Sequence, residues 1–245
     1  FLKLGSYMVA PGATVKLTLL NGTFTTSEST VAADRIVDIS LVSSSSHDRL
    51  EASSLSTEGN TTSLEVTAGD AGTYVAGVSL RKRVLELPAA AFNDYLEHEG
   101  IPDALAARTR DDELDEDVAE RYSKHVKAIF QVGEETTDSF STVLGYPAEI
   151  VPLQNPFETH AGSEIEFRVL VDGSPVANQV VLAGGHNADG AFEEISTRAD
   201  ADGIARFTLG AAGQWYVKFI SMKKITDDEA NYESTWATLT FGIPH

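Results

Sequence analysis

The sequence predicts a mainly β protein. Two β-sandwich domains of immunoglobulin-like or prealbumin-like type are expected, the first interrupted by a short helical insertion. Three observations carry this reading. Segments of alternating apolar and polar residues recur along most of the chain. Turn-forming residues separate them at intervals of about 8–12 residues. The alternation lapses only around 88–123, where helical spacing replaces it. The expected division is residues 1–152 and 153–245.

The first part reads as strands to about residue 85. Val15, Leu17 and Leu19 alternate with Lys16 and Thr18, the two-residue period of a half-buried strand. Pro11-Gly12 before it and Asn21-Gly22 after it are turn signals. Residues 36–41, 62–66 and 73–80 follow as further strands. Pro88 suits a first helical turn. Phe92, Tyr95, Leu96 and Glu99 have the spacing of one helical face, and Gly100 is placed to cap it. Pro102 opens a second helix. Val118 and Tyr122, four apart, predict a third around 115–123. From Lys124 the period returns to two, with Val126, Ala128, Phe130 and Val132 on one side and His125, Lys127, Ile129 and Gln131 on the other. That strand is expected to rejoin the first sheet. Residues 140–155 read as a further extended stretch.

The second part begins with Ile165, Phe167, Val169 and Val171 facing one way. Asp172-Gly173 predicts a hairpin turn returning through residues 179–183. A second hairpin is expected from 193–198 and 204–209 around Asp200-Ala201-Asp202-Gly203. Strands at 215–220 and 234–241 close the unit. Trp215, Phe219, Trp236 and Phe241 have core spacing, and Tyr216 and Tyr232 are expected as exposed rings.

Composition narrows the function. Lys and Arg number 18 against 37 Asp and Glu, a net charge of −19. Such a surface repels phosphate backbones and anionic lipid, so nucleic-acid and membrane-surface roles are disfavoured. It also fits a saline habitat. The absence of Cys removes disulfides, thiolate metal sites and Cys nucleophiles. The apolar runs are strand-sized, so no transmembrane helix is expected. The chain opens directly on Phe1-Leu2-Lys3-Leu4, as a cleaved precursor or a trimmed chain would.

No local motif announces an enzyme. Gly-x-Ser-x-Gly, Gly-x-x-x-x-Gly-Lys and Gly-x-Gly-x-x-Gly are absent. The six histidines are His47, His98, His125, His160, His186 and His245, and none forms a metal-binding pair in sequence. Nickel or cobalt suits imidazole with carboxylate, so ligands would converge from distant strands. The candidates are His186 with Asp189 in the loop Gly184–Gly190, and His125 on the polar face of its strand. The plain alternatives are a hairpin tip and a surface or interface histidine. His98 ends a helix, where the dipole favours it. The acidic run 111–117 offers oxygens to calcium, but lacks the glycine and twelfth-position Glu of an EF-hand loop. Its plain reading is a solvated loop feeding carboxylates into a helix N-terminus. Asp200–Gly203 is read as a turn.

Three stretches carry a family resemblance: Phe1–Leu4 with Pro11-Gly12 and Leu19–Phe24, Glu120–Gly133, and Glu233–Phe241. Gly145–Pro156 adds to them. The chain resembles a bacterial exported family of unknown function whose members are often labelled periplasmic components of nickel or cobalt uptake. The His and acidic residue that precede the Phe-Leu segment in many members are not present here. The Asp172-Gly173 and Asp202-Gly203 turns resemble those of carboxypeptidase-regulatory-type sandwiches. The resemblance implies a periplasmic or extracellular, non-enzymatic binding protein of the cell envelope that handles a divalent metal (nickel or cobalt); calcium is the ion that the acidic run would suit. The alternative is a structural or protein–protein interaction component of the cell surface or an extracellular assembly.

Overall fold

The computed structural model describes residues 1–244; His245 lies outside the described residues. One long sheet forms the middle of the molecule. Its strands, in spatial order, are Val180–Asn187, Gly213–Lys224, Tyr232–Ile243, Val118–Val132, Gly72–Leu80, Ile36–Val42 and His47–Arg49. Ile195–Arg198 pairs with the outer side of Val180–Asn187, and Arg83–Leu87 extends the pairing of Val118–Val132. Neighbours in this order run antiparallel except at the junction of the two halves, where Val118–Val132 runs parallel to Tyr232–Ile243; the short strand Met8–Val9 also pairs parallel with the end of Val118–Val132.

Both faces of this sheet are covered. Val126, Ala128 and Phe130 pack on one face against Leu2, Leu4, Val15, Leu17, Leu19, Leu64 and Val66. These belong to a four-stranded sheet of Leu2–Leu4, Thr14–Leu19, Thr61–Thr67 and Ser56–Glu58. Ile129, Val75, Leu239 and Phe241 pack on the opposite face against Ile150, Ile165, Phe167 and Val169. Those come from a third sheet of Ala148–Pro152, Glu164–Val171 and Ile204–Thr208. Sandwich packing thus occurs twice, as expected, but the two sandwiches share their middle layer. Strand pairing crosses residue 152 twice, from Val118–Val132 to Tyr232–Ile243 and from Ala148–Pro152 to Glu164–Val171.

The helices are Ala89–His98 and Pro102–Arg110. Phe92, Leu96 and Ile101 bury onto Val118, Ile220 and Tyr232 of the central sheet. Gly100 takes a positive φ just past the first helix, as predicted. The helix expected at 115–123 is not formed; its residues open the strand Val118–Val132. A spacing of four satisfies a two-residue period as well as a helical one, and Val118 with Glu120 is buried in the strand manner.

Three further expectations change. His125 is not at the surface: it is 3% exposed, held between Ser79 and Ser123 with the Tyr146 ring beside it. Tyr232 is buried beneath the helices instead of exposed. The two hairpins of the second part are not simple returns. Asp172-Gly173 turns only into Ser174–Pro175, after which Val180–Asn187 joins the central sheet. Ile195–Arg198 pairs in the central sheet and Ile204–Thr208 in the third. Asp200–Gly203 is therefore a corner between layers. Asp200 Oδ1 accepts from the N–H groups of Asp202 and Ile204 at 2.9 and 3.0 Å. Gly203 has φ +72, and a Cβ there would lie 2.9 Å from Pro175 Cβ. Among the described residues no helix is long and apolar enough to cross a membrane.

Candidate functional site

The four-stranded sheet and the helices lie side by side on the same face of the central sheet, and a cleft of about 400 Å³ remains between them. Pairing register sets its floor. Lys124 is opposite Trp236, and Val126 opposite Thr238. Thr238 is opposite Lys218 in turn, and Thr240 opposite Tyr216. Two-residue alternation turns all of these toward the cleft side and sends Val217, Leu239 and Phe241 into the core beneath. The walls are Phe1, Leu20–Phe24 and Glu28 on one side and Glu99, at the end of the first helix, on the other.

An aromatic cluster lines one end. Phe24 lies 5.0 Å from Tyr216 and 5.6 Å from Phe1, centroid to centroid, and Phe1 is 5.1 Å from Tyr216. Tyr216 donates to Glu194 at 2.7 Å, and burial pushes its pKa up. At the other end, Trp236 stacks on Tyr95, with planes 3° apart and centroids at 5.7 Å. Tyr95 donates to the buried Glu120 at 3.2 Å. Burial raises the pKa of Glu120 despite hydrogen bonds from Ser234 and Tyr95.

The cations divide unequally. Lys218 pairs with Glu99 at 3.1 Å and Glu194 at 3.3 Å. Lys124 donates to Asn21 Oδ1 at 3.3 Å and sits 4.6 Å from the centre of the Trp236 ring. Among the described residues no carboxylate pairs with it within 4.0 Å. Burial pushes its pKa below the ordinary lysine value. Beside it, the buried Thr238 hydroxyl finds no hydrogen-bond partner among the described residues.

The histidines expected as metal ligands lie apart. His186 is near the end of Val180–Asn187, on the cleft side, where Lys3 Nζ approaches its Nε2 at 2.8 Å. Burial, then the Lys3 charge, lowers its pKa. Asp189 is exposed at the adjoining turn, its N–H bonded to Asn187 Oδ1 at 2.9 Å. His125 faces the opposite side. It lines a second groove of about 610 Å³ and lies between Ser79 and Ser123, at 2.9 and 3.0 Å. Among the described residues no three His, Asp or Glu gather for a metal ion. The acidic run is organised from within: Arg108, 1% exposed, donates to the carbonyls of Glu113 and Glu116 at 2.6 and 2.8 Å. Asp117 accepts from the Ala89 N–H at 2.9 Å, capping the first helix in place of the helix that did not form.

A family model described as a domain of unknown function, DUF4198, matches residues 1–223. The chain belongs to the DUF4198 family. No curated protein matches it. Among solved structures, the D0-D1 domain of intimin aligns at 11% identity and TM-score 0.21, over 97% of this chain and 95% of that one. A tetra-tandem repeat from the extending region of a large adhesion protein aligns at 13% identity and TM-score 0.23, over 98% and 47%. The expected resemblance to a family of unknown function is thus met by this DUF4198 member, while the nickel or cobalt role and export rest on that resemblance alone.

The sequence reading missed the cleft. Its lining comes from the first strand and loop, the end of a helix, one strand of the first half and two of the second, and the core spacing of Trp236 conceals that ring's place in it. One signal was present. Lys218, Thr238 and Thr240 alternate with strongly apolar residues in strands whose other face is core.

Proposed function

We propose that this DUF4198 chain is a non-enzymatic binding protein of the cell envelope, and that the cleft beside the helices holds its ligand. The observation that carries the reading is the floor. A half-buried Lys124 without a carboxylate partner and the orphan hydroxyl of Thr238 meet in a concave, aromatic-lined space of about 400 Å³. Small-ligand sites have a volume of that order, and the lining here combines aromatic rings with polar and charged side chains that can fix a ligand's orientation. Ligand-observed NMR with a fragment mixture tests it on the whole chain and on Tyr216→Ala. Fragments that bind the first and not the second support the reading; binding indifferent to the substitution, or no binding, removes it.

A structural or interaction role at the cell surface is the second reading. The strand Arg83–Leu87 pairs on one side with Val118–Tyr122, and Val84 and Leu85 on it are each 44% exposed. An open apolar edge accepts a partner strand. Native pull-down with wild type and Leu85→Pro distinguishes it: a partner retained only by wild type supports this role.

A further inference from the structure

We propose that the cleft is an anion-recognition site selecting a small carboxylic acid with an aromatic or apolar body, the carboxylate meeting Lys124 and Thr238. The inference rests on the cleft being the ligand site and goes on to name the class of ligand.

Charge accounting supports it. In a chain of net charge −19, carboxylates are abundant and cations scarce. Most of the cations pair with carboxylates, Lys218 in this same cleft with two of them. Lys124 is left with one amide oxygen at 3.3 Å and the face of Trp236. An ammonium out of bulk water with unused donors is costly unless something negative joins it. The Thr238 hydroxyl adjoins it across the Val126 position of the register and is a second unmet donor.

A second cation is close. Arg35, 8% exposed, lies 5.3 Å over the Tyr122 ring, and Lys124 Nζ approaches the same ring at 5.8 Å. Arg35 donates to the Tyr122 hydroxyl at 3.3 Å, while its Nε and Nη2 are buried without partners among the described residues. Two cations around one ring put positive charge in this part of an acidic molecule, and exposed carboxylates farther away than about 8 Å are largely screened from it in physiological salt. Glu99 and Glu120 act on the Lys124 charge from beyond ion-pair distance, but Glu99 is held by Lys218 and Glu120 by Tyr95 and Ser234, and Glu28 is solvent-exposed.

The walls select the rest of the ligand. Phe24, Tyr216 and Trp236 present ring surface at the two ends of the floor. A ring stacked there, joined by two or three bonds to a carboxylate on Lys124, uses the aromatic rings and the charged floor together.

The test is isothermal titration calorimetry of the whole chain with 3-phenylpropionate and with 3-phenylpropanamide, equal in shape and unequal in charge. The acid is expected to bind at least about tenfold tighter than the amide. Lys124→Met is expected to abolish that preference, and Thr238→Val, nearly isosteric, to weaken acid binding with little effect on the amide. Equal affinity for acid and amide in wild type overturns the anion inference and leaves the cleft as a ligand site. Acid binding unchanged in both variants overturns it too, as does saturation by neither compound. In that last case, the fragment experiment above decides separately whether the cleft binds anything.

Discussion

Lys127 donates to Glu149 at 3.1 Å with both side chains sealed between layers, at 2% and 1% exposure. Glu149 also accepts the N–H groups of Leu144, Gly145 and Tyr146 at 2.9, 2.7 and 2.9 Å, and Lys127 the Thr142 carbonyl as a further acceptor at 2.8 Å. The pair pins the central sheet to the connection that enters the third sheet. Removing one partner strands a buried charge. Glu149→Gln and Lys127→Met are each expected to cost about 3–5 kcal/mol in urea unfolding, and the double substitution less than their sum. Additive losses would contradict the coupling.

His125 makes stability depend on pH. Burial, then the charge of Lys82, lowers its pKa from 6.5 to about 4. Between those values the unfolded chain binds a proton that the folded one does not. The contribution is therefore complete above pH 6.5 and declines as pH falls toward 4, by on the order of 3 kcal/mol. Urea titrations across pH 4–7 on wild type and His125→Gln read this directly. The variant is expected to show a flatter slope in that window.

Arg108 holds the acidic loop through the Glu113 and Glu116 carbonyls and donates to Asn93 at 2.9 Å. Arg108→Met keeps the packing against Phe92 and loses these charged hydrogen bonds. A loss of about 2–4 kcal/mol is expected, with faster amide exchange confined to residues 111–117 and the adjoining helix ends. Exchange rising across the whole chain would instead mean that the loop is not an independent unit.

For nickel or cobalt, calorimetry is expected to show no saturable binding tighter than about 100 μM. His186 is engaged by Lys3, and His125 is enclosed on the other face. Tighter binding lost in His186→Ala would restore the metal reading.

Much of the fold was legible because most strands bury one face and expose the other. The runs at 15–19, 165–171 and 204–208 carried that signature, and the helix of Phe92 and Leu96 carried its own. The middle layer did not. In Val118–Val132 the polar residues His125, Lys127 and Gln131 alternate with apolar ones as at a surface, yet they meet Ser79, Glu149 and Thr73 inside the molecule. A period of two identifies the faces of a strand but not what covers each. The cleft was hidden for a related reason. Lys124, Thr238 and Lys218 become neighbours only through a parallel pairing that joins residues more than a hundred positions apart.

That parallel pairing governs how the polypeptide acquires its structure. Val118–Val132 lacks one lateral neighbour until Tyr232–Ile243 has been made and has threaded beside it. During synthesis, the earlier residues wait as an incomplete sheet with an open apolar margin, and closure of so distant a contact is slow. Assembly is expected to be cooperative across the two halves, and a chain truncated before residue 232 to depend on chaperones and to aggregate when they are scarce.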